Sequence, residues 1–146
     1  MVKKTLGILL ILALAAGVLI YVFVWNKPHR SLLDENPAFE GTTEQFANAF
    51  FEAPETMHDS LFDKVVALNG HVGAAERTGD STIQISFVTT EAEILCGFSG
   101  EAGFALKDPT PGAELRLRGI YTGYNEGLPG FDDMLPTLTL NRCIHE

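Results

Sequence analysis

The chain has 146 residues, of which 10 are Lys or Arg and 19 are Asp or Glu, so its formal net charge is −9. That length accommodates one ordinary domain and excludes a second. The excess of carboxylates repels phosphate backbones and anionic surfaces, which argues against a nucleic-acid-binding protein and names no partner.

An unbroken apolar run extends from Leu6 to Trp25, directly after Lys3 and Lys4. As a helix it rises about 30 Å, the thickness of one bilayer core. We therefore expect residues 1–25 to form a single transmembrane anchor. The alternative is a signal peptide cleaved after Ala15, but cleavage there would leave a strongly apolar new N-terminus.

The basic residues around this run predict its orientation. Lys3, Lys4 and the terminal amine precede the run, whereas Lys27 and Arg30 follow it. This difference favours a cytoplasmic N-terminus with the remainder on the exported side. The remainder carries eight of the Lys and Arg and all 19 of the Asp and Glu, a net charge of −11.

Residues 26–41 are polar and contain two prolines, which predicts an extended tether. Thr42 or Thr43 is placed to cap a helix, with Gln45 completing a capping box to Thr42. Pro54 interrupts the apolar spacing that follows, so we expect a kink or a restart before the helix continues to Leu61.

From Lys64 the apolar period changes to two, which predicts strands. A single helical turn fits between Gly100 and Lys107. Five strands with such an insertion after the third follow the plan of an OB-fold barrel, so 42–146 is predicted to be a mainly β domain preceded by a helix. The less specific alternative is an α+β fold, in which an antiparallel sheet packs with one helix. The predicted strands are Lys64–Glu76, Thr82–Thr89, Glu93–Phe98, Glu114–Tyr124 and Thr137–Ile144.

Several short motifs in this order resemble the tRNA_anti-like OB-fold family, small bacterial membrane-anchored or exported proteins of unknown function. The resemblance implies a non-enzymatic binding module of the cell envelope, without a cofactor, whose partner is an envelope protein or a small ligand. Tyr121 departs from the family, where Cys is common, as do Pro54 and a longer loop after Tyr124. The motifs are Asn26–Arg30, Thr43–Phe62, Asp63–Val66, Gly70–Val72, Leu95–Phe98, Gly119–Tyr124 and Leu140–Cys143.

Cys96 and Cys143 are the two cysteines of the chain. Their separation does not fit a zinc site. An OB barrel would place their strands side by side, so a disulfide could staple the barrel. Regular alternation from Leu140 turns Cys143 to the other face, and a bulge would be needed to bring it inward. A disulfide and two buried free thiols therefore both remain open.

Catalysis and metal binding have little support in the sequence. The four histidines, His29, His58, His71 and His145, are scattered, and His71 is expected to be exposed. A Cys–His pair with His145 is disfavoured because a nucleophilic thiolate needs an electropositive setting. Calcium binding by Glu126, Asp132 and Asp133 fits no known loop spacing. We predict no catalytic residue and no metal.

Two surfaces are candidates for binding. Arg116, Arg118 and Arg142 could gather near Tyr124 as a small basic patch, but nucleic acid is not an expected partner of so acidic a domain. The favoured surface is the loop 125–136, which borders the usual OB ligand face. In the alternative, its apolar residues only cap the barrel mouth. The candidate partner-binding residues of this loop are Leu128, Phe131, Asp132, Asp133 and Met134.

Overall fold

The computed structural model of the protein describes residues 12–21, 31–127 and 134–146. The chain divides into two compact units, Met1–Ser31 and Leu32–Glu146. In the first unit, residues 12–20 are helical and exposed. Within the described residues, no helix is both long enough and apolar enough to cross a membrane. The ends of the predicted span, 6–11 and 22–25, lie outside the described residues.

The second unit is mainly β. Its strands form one sheet in the order β1-β2-β6-β7-β5-β4-β3. The β1–β2 and β5–β7 pairs are parallel and the others are antiparallel. The elements are β1 (Phe39–Thr42), α1 (Thr43–Glu52), α2 (Pro54–Leu61), β2 (Val65–His71), β3 (Ala74–Gly79), β4 (Thr82–Val88), β5 (Glu93–Ser99), α3 (Gly100–Ala105), β6 (Glu114–Asn125) and β7 (Thr137–His145).

The first predicted strand is divided into β2 and β3 by a bend at Val72 and Gly73. The Val72 N–H donates to the Ala113 carbonyl oxygen at 2.9 Å, and the Gly73 N–H donates to that of Ser86 at 2.7 Å. The chain thus leaves the β6 side of the sheet and joins the β4 side within two residues. The described sheet is OB-like but does not close, because β1 and β3 remain as its edges. The predicted closed five-stranded barrel is corrected accordingly.

Strand β1 adds an edge that the sequence did not predict. It runs parallel to β2, and the Phe39 ring centroid lies 5.0 Å from that of Phe46. Leu32 is also buried, so the compact unit begins inside the predicted tether 26–41. Four residues, FEGT, are too short to show a clear period, and pairing to β2 decides their conformation.

The helices begin and end as their sequence dictates. The Thr42 hydroxyl accepts from the Gln45 N–H at 3.1 Å, and the Gln45 side chain accepts from the Thr42 N–H at 3.0 Å, which confirms the capping box. Pro54 opens α2 after a break at Ala53, which confirms the predicted restart. A Cβ at Gly70 would lie 2.5 Å from the Thr43 side chain, so glycine lets the start of α1 rest on β2.

Alternate residues of the strands fill the core. The β4 and β5 side chains that point inward are fully buried. Helix α1 packs onto this core through Phe46 and Phe50, which are also fully buried. Fully burying each such large apolar side chain stabilises the fold by about 1.5–3 kcal/mol. The inward side chains of β4, β5 and β7 are Ile83, Ile85, Phe87, Ile94, Cys96, Phe98, Leu138, Leu140 and Cys143.

Candidate functional site

Cys96 and Cys143 form a disulfide between β5 and β7, with their Cα atoms 6.1 Å apart. Both residues are fully buried. A bulge in β7 turns Cys143 inward. Ile120 pairs with Asn141 and Arg118 pairs with Ile144, so two residues of β7 face Gly119 alone. Arg142, the first of them, has a φ of +54°.

Gly119 provides the space for this bond. A Cβ at this position would lie 2.7 Å from the Cys143 Sγ atom and 3.2 Å from the Leu140 Cβ atom. Contacts this short require something to shift. The bulge turns the Cys143 side chain toward the core, and the absence of a side chain at Gly119 leaves room for its sulfur atom.

Two arginines of the predicted basic patch are instead bound within the fold. The Arg116 Nε atom lies 2.5 Å from a Glu146 carboxylate oxygen, and its Nη2 atom lies 3.1 Å from Glu40. The Arg118 Nε atom pairs with the other Glu146 oxygen. Burial alone would raise the pKa of Glu146, but hydrogen bonds from Arg118 and Arg116 outweigh it and lower that pKa.

Arg118 also holds the start of the domain. Its Nη1 atom donates to three backbone carbonyl oxygens, and only 16% of the side chain is exposed. We call Arg116, Arg118 and Glu146 the ionic clamp. The predicted basic patch is therefore wrong for Arg116 and Arg118, whereas Arg142 is exposed on the bulge. The three carbonyls belong to Leu32, Leu33 and Glu35, at 3.3, 3.2 and 2.9 Å.

The usual OB ligand face, on the outer side of β4 and β5, is mixed in polarity and mostly uncharged, with the apolar Val88 and Leu95 beside polar residues. Gln84 pairs with Gly97, and the Asn141 side chain lies beside that glycine. Asn141 donates to the Thr122 hydroxyl at 3.3 Å. Within the described part of β4, β5 and β7, no aromatic side chain lies on this face. Bases have no ring there on which to stack.

Four of the five candidate residues of the predicted partner-binding loop lie outside the described residues, namely Leu128, Phe131, Asp132 and Asp133. Met134 is 57% exposed. Whether these residues bind a partner or cap the barrel therefore stays a prediction.

A second surface lies where β6 leads into this loop, and the sequence reasoning did not find it. The His58 ring centroid lies 5.4 Å from that of Tyr124 and 5.5 Å from that of Phe62. Phe62 is 54% exposed. The Tyr124 hydroxyl lies 3.5 Å from a Glu126 carboxylate oxygen. The signal available in the sequence was the four-residue spacing of His58 and Phe62, which places both rings on one side of α2.

Nearby carboxylates affect the ionisation of Tyr124 in this cluster. The pKa of Tyr124 is raised by burial first, then by the negative charges of Glu126, Glu55 and Asp59. Glu55 and Asp59 stand one turn apart on α2. We call His58, Phe62, Tyr124, Glu55, Asp59 and Glu126 the aromatic–acidic surface.

Beneath this surface, Tyr121 joins β6 to α2. Its hydroxyl lies 3.1 Å from the His58 Nδ1 atom, and the residue is fully buried. Burial raises the pKa of Tyr121 far above its usual range, and the nearby Tyr124 adds to this. A phenol that stays neutral at physiological pH is a hydrogen-bonding link rather than a reactive base.

The described residues contain no group of three His, Cys, Asp or Glu side chains arranged to hold a metal ion. The Tyr121 hydroxyl and the His58 imidazole form a part-buried hydrogen-bonded pair.

No family model matches this chain, and no curated protein matches it either. A solved lipoprotein of Klebsiella pneumoniae, named for nucleic-acid binding, is 14% identical over 82% of this chain and 99% of its own, with a TM-score of 0.50. An asparaginyl-tRNA synthetase of Entamoeba histolytica is 15% identical over 75% of this chain, with a TM-score of 0.46. An aspartyl-tRNA synthetase of the same organism is 10% identical over 76%, with a TM-score of 0.40.

The chain spans only 24% and 25% of the two synthetases. It matches nearly the whole of the Klebsiella lipoprotein. At this identity the likeness shows a shared fold, and with the strand order above it identifies the domain as OB-like.

Proposed function

We propose that this protein is a non-enzymatic OB-fold binding module of the bacterial cell envelope. Leu6–Trp25 holds it at the membrane, the N-terminus is cytoplasmic, and the OB-like domain acts on the exported side. As part of this proposal, the protein is related to the tRNA_anti-like OB-fold proteins. The OB-like strand order supports that relationship.

The observation that carries the proposal is the disulfide between Cys96 and Cys143. Disulfides form and persist in oxidising compartments and are rare in the cytosol. The bulge at Arg142 and the absence of a side chain at Gly119 both serve this bond. An interior fitted to a disulfide favours a domain that folds after export.

The membrane attachment rests on the sequence. Across the described residues 12–21, the large apolar side chains are between 57% and 63% exposed. So much exposed apolar surface on one helix is typical of a segment that another apolar phase covers.

Nucleic-acid binding is the second candidate, and the name of the Klebsiella lipoprotein favours it. Three observations oppose it here. The part after residue 25 has a net charge of −11. Arg77, Arg116 and Arg118 are paired with carboxylates. The described part of the usual ligand face has no ring for stacking. A protein partner or a small ligand fits this surface better.

Thiol trapping in intact cells tests the export proposal. We expect a maleimide reagent to leave Cys96 and Cys143 of the full chain unlabelled until a reductant is added to denatured extract. The Cys96→Ala variant is the control, because its single remaining thiol should be labelled without reduction. Labelling of both thiols in unreduced, denatured wild-type extract would overturn the proposal.

Titration of the full chain with single-stranded DNA and RNA tests the second candidate. We expect no binding at low salt. Binding that weakens as salt rises would replace the proposed function with nucleic-acid recognition.

A further inference from the structure

We infer that the aromatic–acidic surface binds a basic segment of a partner protein, with a Lys or Arg side chain placed over the rings of Phe62 and Tyr124. This inference rests on the proposed function, since it names the class of partner for the binding module. It gives the module a contact surface among the described residues, next to the predicted loop.

The rings form a connected platform. His58 lies between Phe62 and Tyr124, with centroid distances of 5.5 and 5.4 Å. Phe50 supports Tyr124 from the core side at 5.0 Å, and the Tyr121 hydroxyl holds His58 at 3.1 Å. The platform is therefore fixed from below, while Phe62 is 54% exposed above.

Three carboxylates of the aromatic–acidic surface add negative charge to the platform. Glu55, Asp59 and Glu126 are exposed, and no described residue forms an ion pair with any of the three. Like charges four residues apart on a helix, as at Glu55 and Asp59, destabilise it slightly. The Glu126 carboxylate lies 3.5 Å from the Tyr124 hydroxyl, and Glu55 and Asp59 lie on the same helix as His58.

An exposed ring within a negative field selects a cation. A Lys or Arg head group is attracted to the face of an aromatic ring within about 6 Å, and carboxylates beside the ring add to the attraction. A purely apolar partner would leave the three carboxylates desolvated without a counter-charge. Phosphate groups would be repelled. A basic peptide segment is the occupant that satisfies both the rings and the charges.

The test uses the full chain in an uncharged detergent and a short synthetic peptide that alternates Arg and Gly. A Glu–Gly peptide is the negative control. We expect the Arg–Gly peptide to bind at low salt and to shift the NMR signals of His58, Phe62 and Tyr124. The dissociation constant is measured for each of the variants below.

Removing the three charges by Glu55→Gln, Asp59→Asn and Glu126→Gln should weaken binding roughly ten-fold. The matched control changes the net charge equally at exposed positions elsewhere, by Glu76→Gln, Glu91→Gln and Glu101→Gln. The control should bind almost as wild type does. Equal weakening by both sets would mean that only the overall charge attracts the peptide, and would overturn the inference.

The ring is tested separately. Phe62→Ser should weaken binding about two- to five-fold, whereas Phe62→Tyr should retain it. Phe104, which is 75% exposed on α3, provides the control variant Phe104→Ser. Equal effects of the two serine variants would contradict the inference. If the thiols are protected but the peptide does not bind at this surface, only this inference fails, and the proposed function stands.

Discussion

Two junctions at the C-terminal end of strand β7 differ in kind, one being a covalent bond and the other a set of ion pairs. The disulfide joins Cys143 to β5 inside the core, where both sulfur-bearing residues are fully buried. The ionic clamp joins Glu146 to two arginines of β6 nearer the surface. The first junction constrains the unfolded chain by a covalent bond, and the second acts only in the folded state. We therefore expect the disulfide to govern stability and the clamp to govern local order.

The largest effect should come from removing the disulfide. The double variant Cys96→Ala and Cys143→Ala opens a loop closed across a separation of 47 residues. A loop of that length predicts a loss of about 4 kcal/mol in the free energy of unfolding. Urea unfolding of the full chain measures it. The wild type with reductant should approach the variant, and a variant that unfolds at the wild-type urea concentration would contradict the comparison.

Filling the space beside the disulfide should have the next largest effect. Gly119→Ala places a methyl group 2.7 Å from the Cys143 Sγ atom, and overpacking of this kind costs about 1–3 kcal/mol. The loss should shrink when Cys143 is also replaced by Ala. Gly79→Ala is the control, because no atom lies within 4 Å of its Cβ position. Equal losses for the two alanine variants would argue against the role of Gly119.

A neutral buried hydrogen bond should lie between the two junctions in strength. Tyr121→Phe removes the bond to His58 and should cost about 1 kcal/mol. The pKa of Tyr121 is raised above 10.0 in the fold, so its contribution is complete below pH 10.0 and is lost as the pH rises further. Unfolding followed against pH should therefore show a smaller alkaline loss for Tyr121→Phe than for the wild type, and an equal loss would contradict this.

The smallest change in global stability is expected at the clamp. Glu146→Gln should cost under about 1 kcal/mol near neutral pH, because the glutamine oxygen still accepts a hydrogen bond from Arg118, and solvent screens the pair with the 55% exposed Arg116. The pKa of Glu146 is lowered from 4.5, so the stabilising effect is present above pH 4.5 and is lost as the pH falls below it. The variant and the wild type should therefore converge in acid.

Local order at the clamp should change more than stability. With Glu146 altered, Arg118 loses the carboxylate that orients it toward the carbonyls of Leu32, Leu33 and Glu35. Hydrogen exchange at the Ala38 amide, which donates to Val65, should become faster. Unchanged exchange at Ala38 would show that β1 holds this segment without the clamp.

Local sequence signals predicted the helices and most of the strands. Thr42 and Gln45 carry the capping box three positions apart, and Pro54 ends one helix by its own covalent geometry. Ile83, Ile85 and Phe87 occupy alternate positions, and this two-residue period alone indicates a strand. These features depend on residues close together in the chain, so reading the sequence alone recovers them.

Features set by distant residues were not predictable in the same way. The bulge at Arg142 was recognised as a requirement for a disulfide, but its position depends on the pairing with β6. Strand β1 forms only because β2 offers an edge. The aromatic–acidic surface brings His58 of α2 to Tyr124 of β6, and only the folded chain makes them neighbours. Tertiary pairing, rather than local preference, decides all three.

The position of β7 in the sheet also bears on how the chain folds as it is made. β7 is the last strand in sequence, yet it lies at the centre of the sheet, between β6 and β5. Until it emerges, β6 and β5 each present an unpaired edge, and the halves on either side have nothing to join them. The contacts of β7 with β5 and β6 join residues far apart in the sequence, so the sheet is expected to form only after β7 is available and then to fold cooperatively.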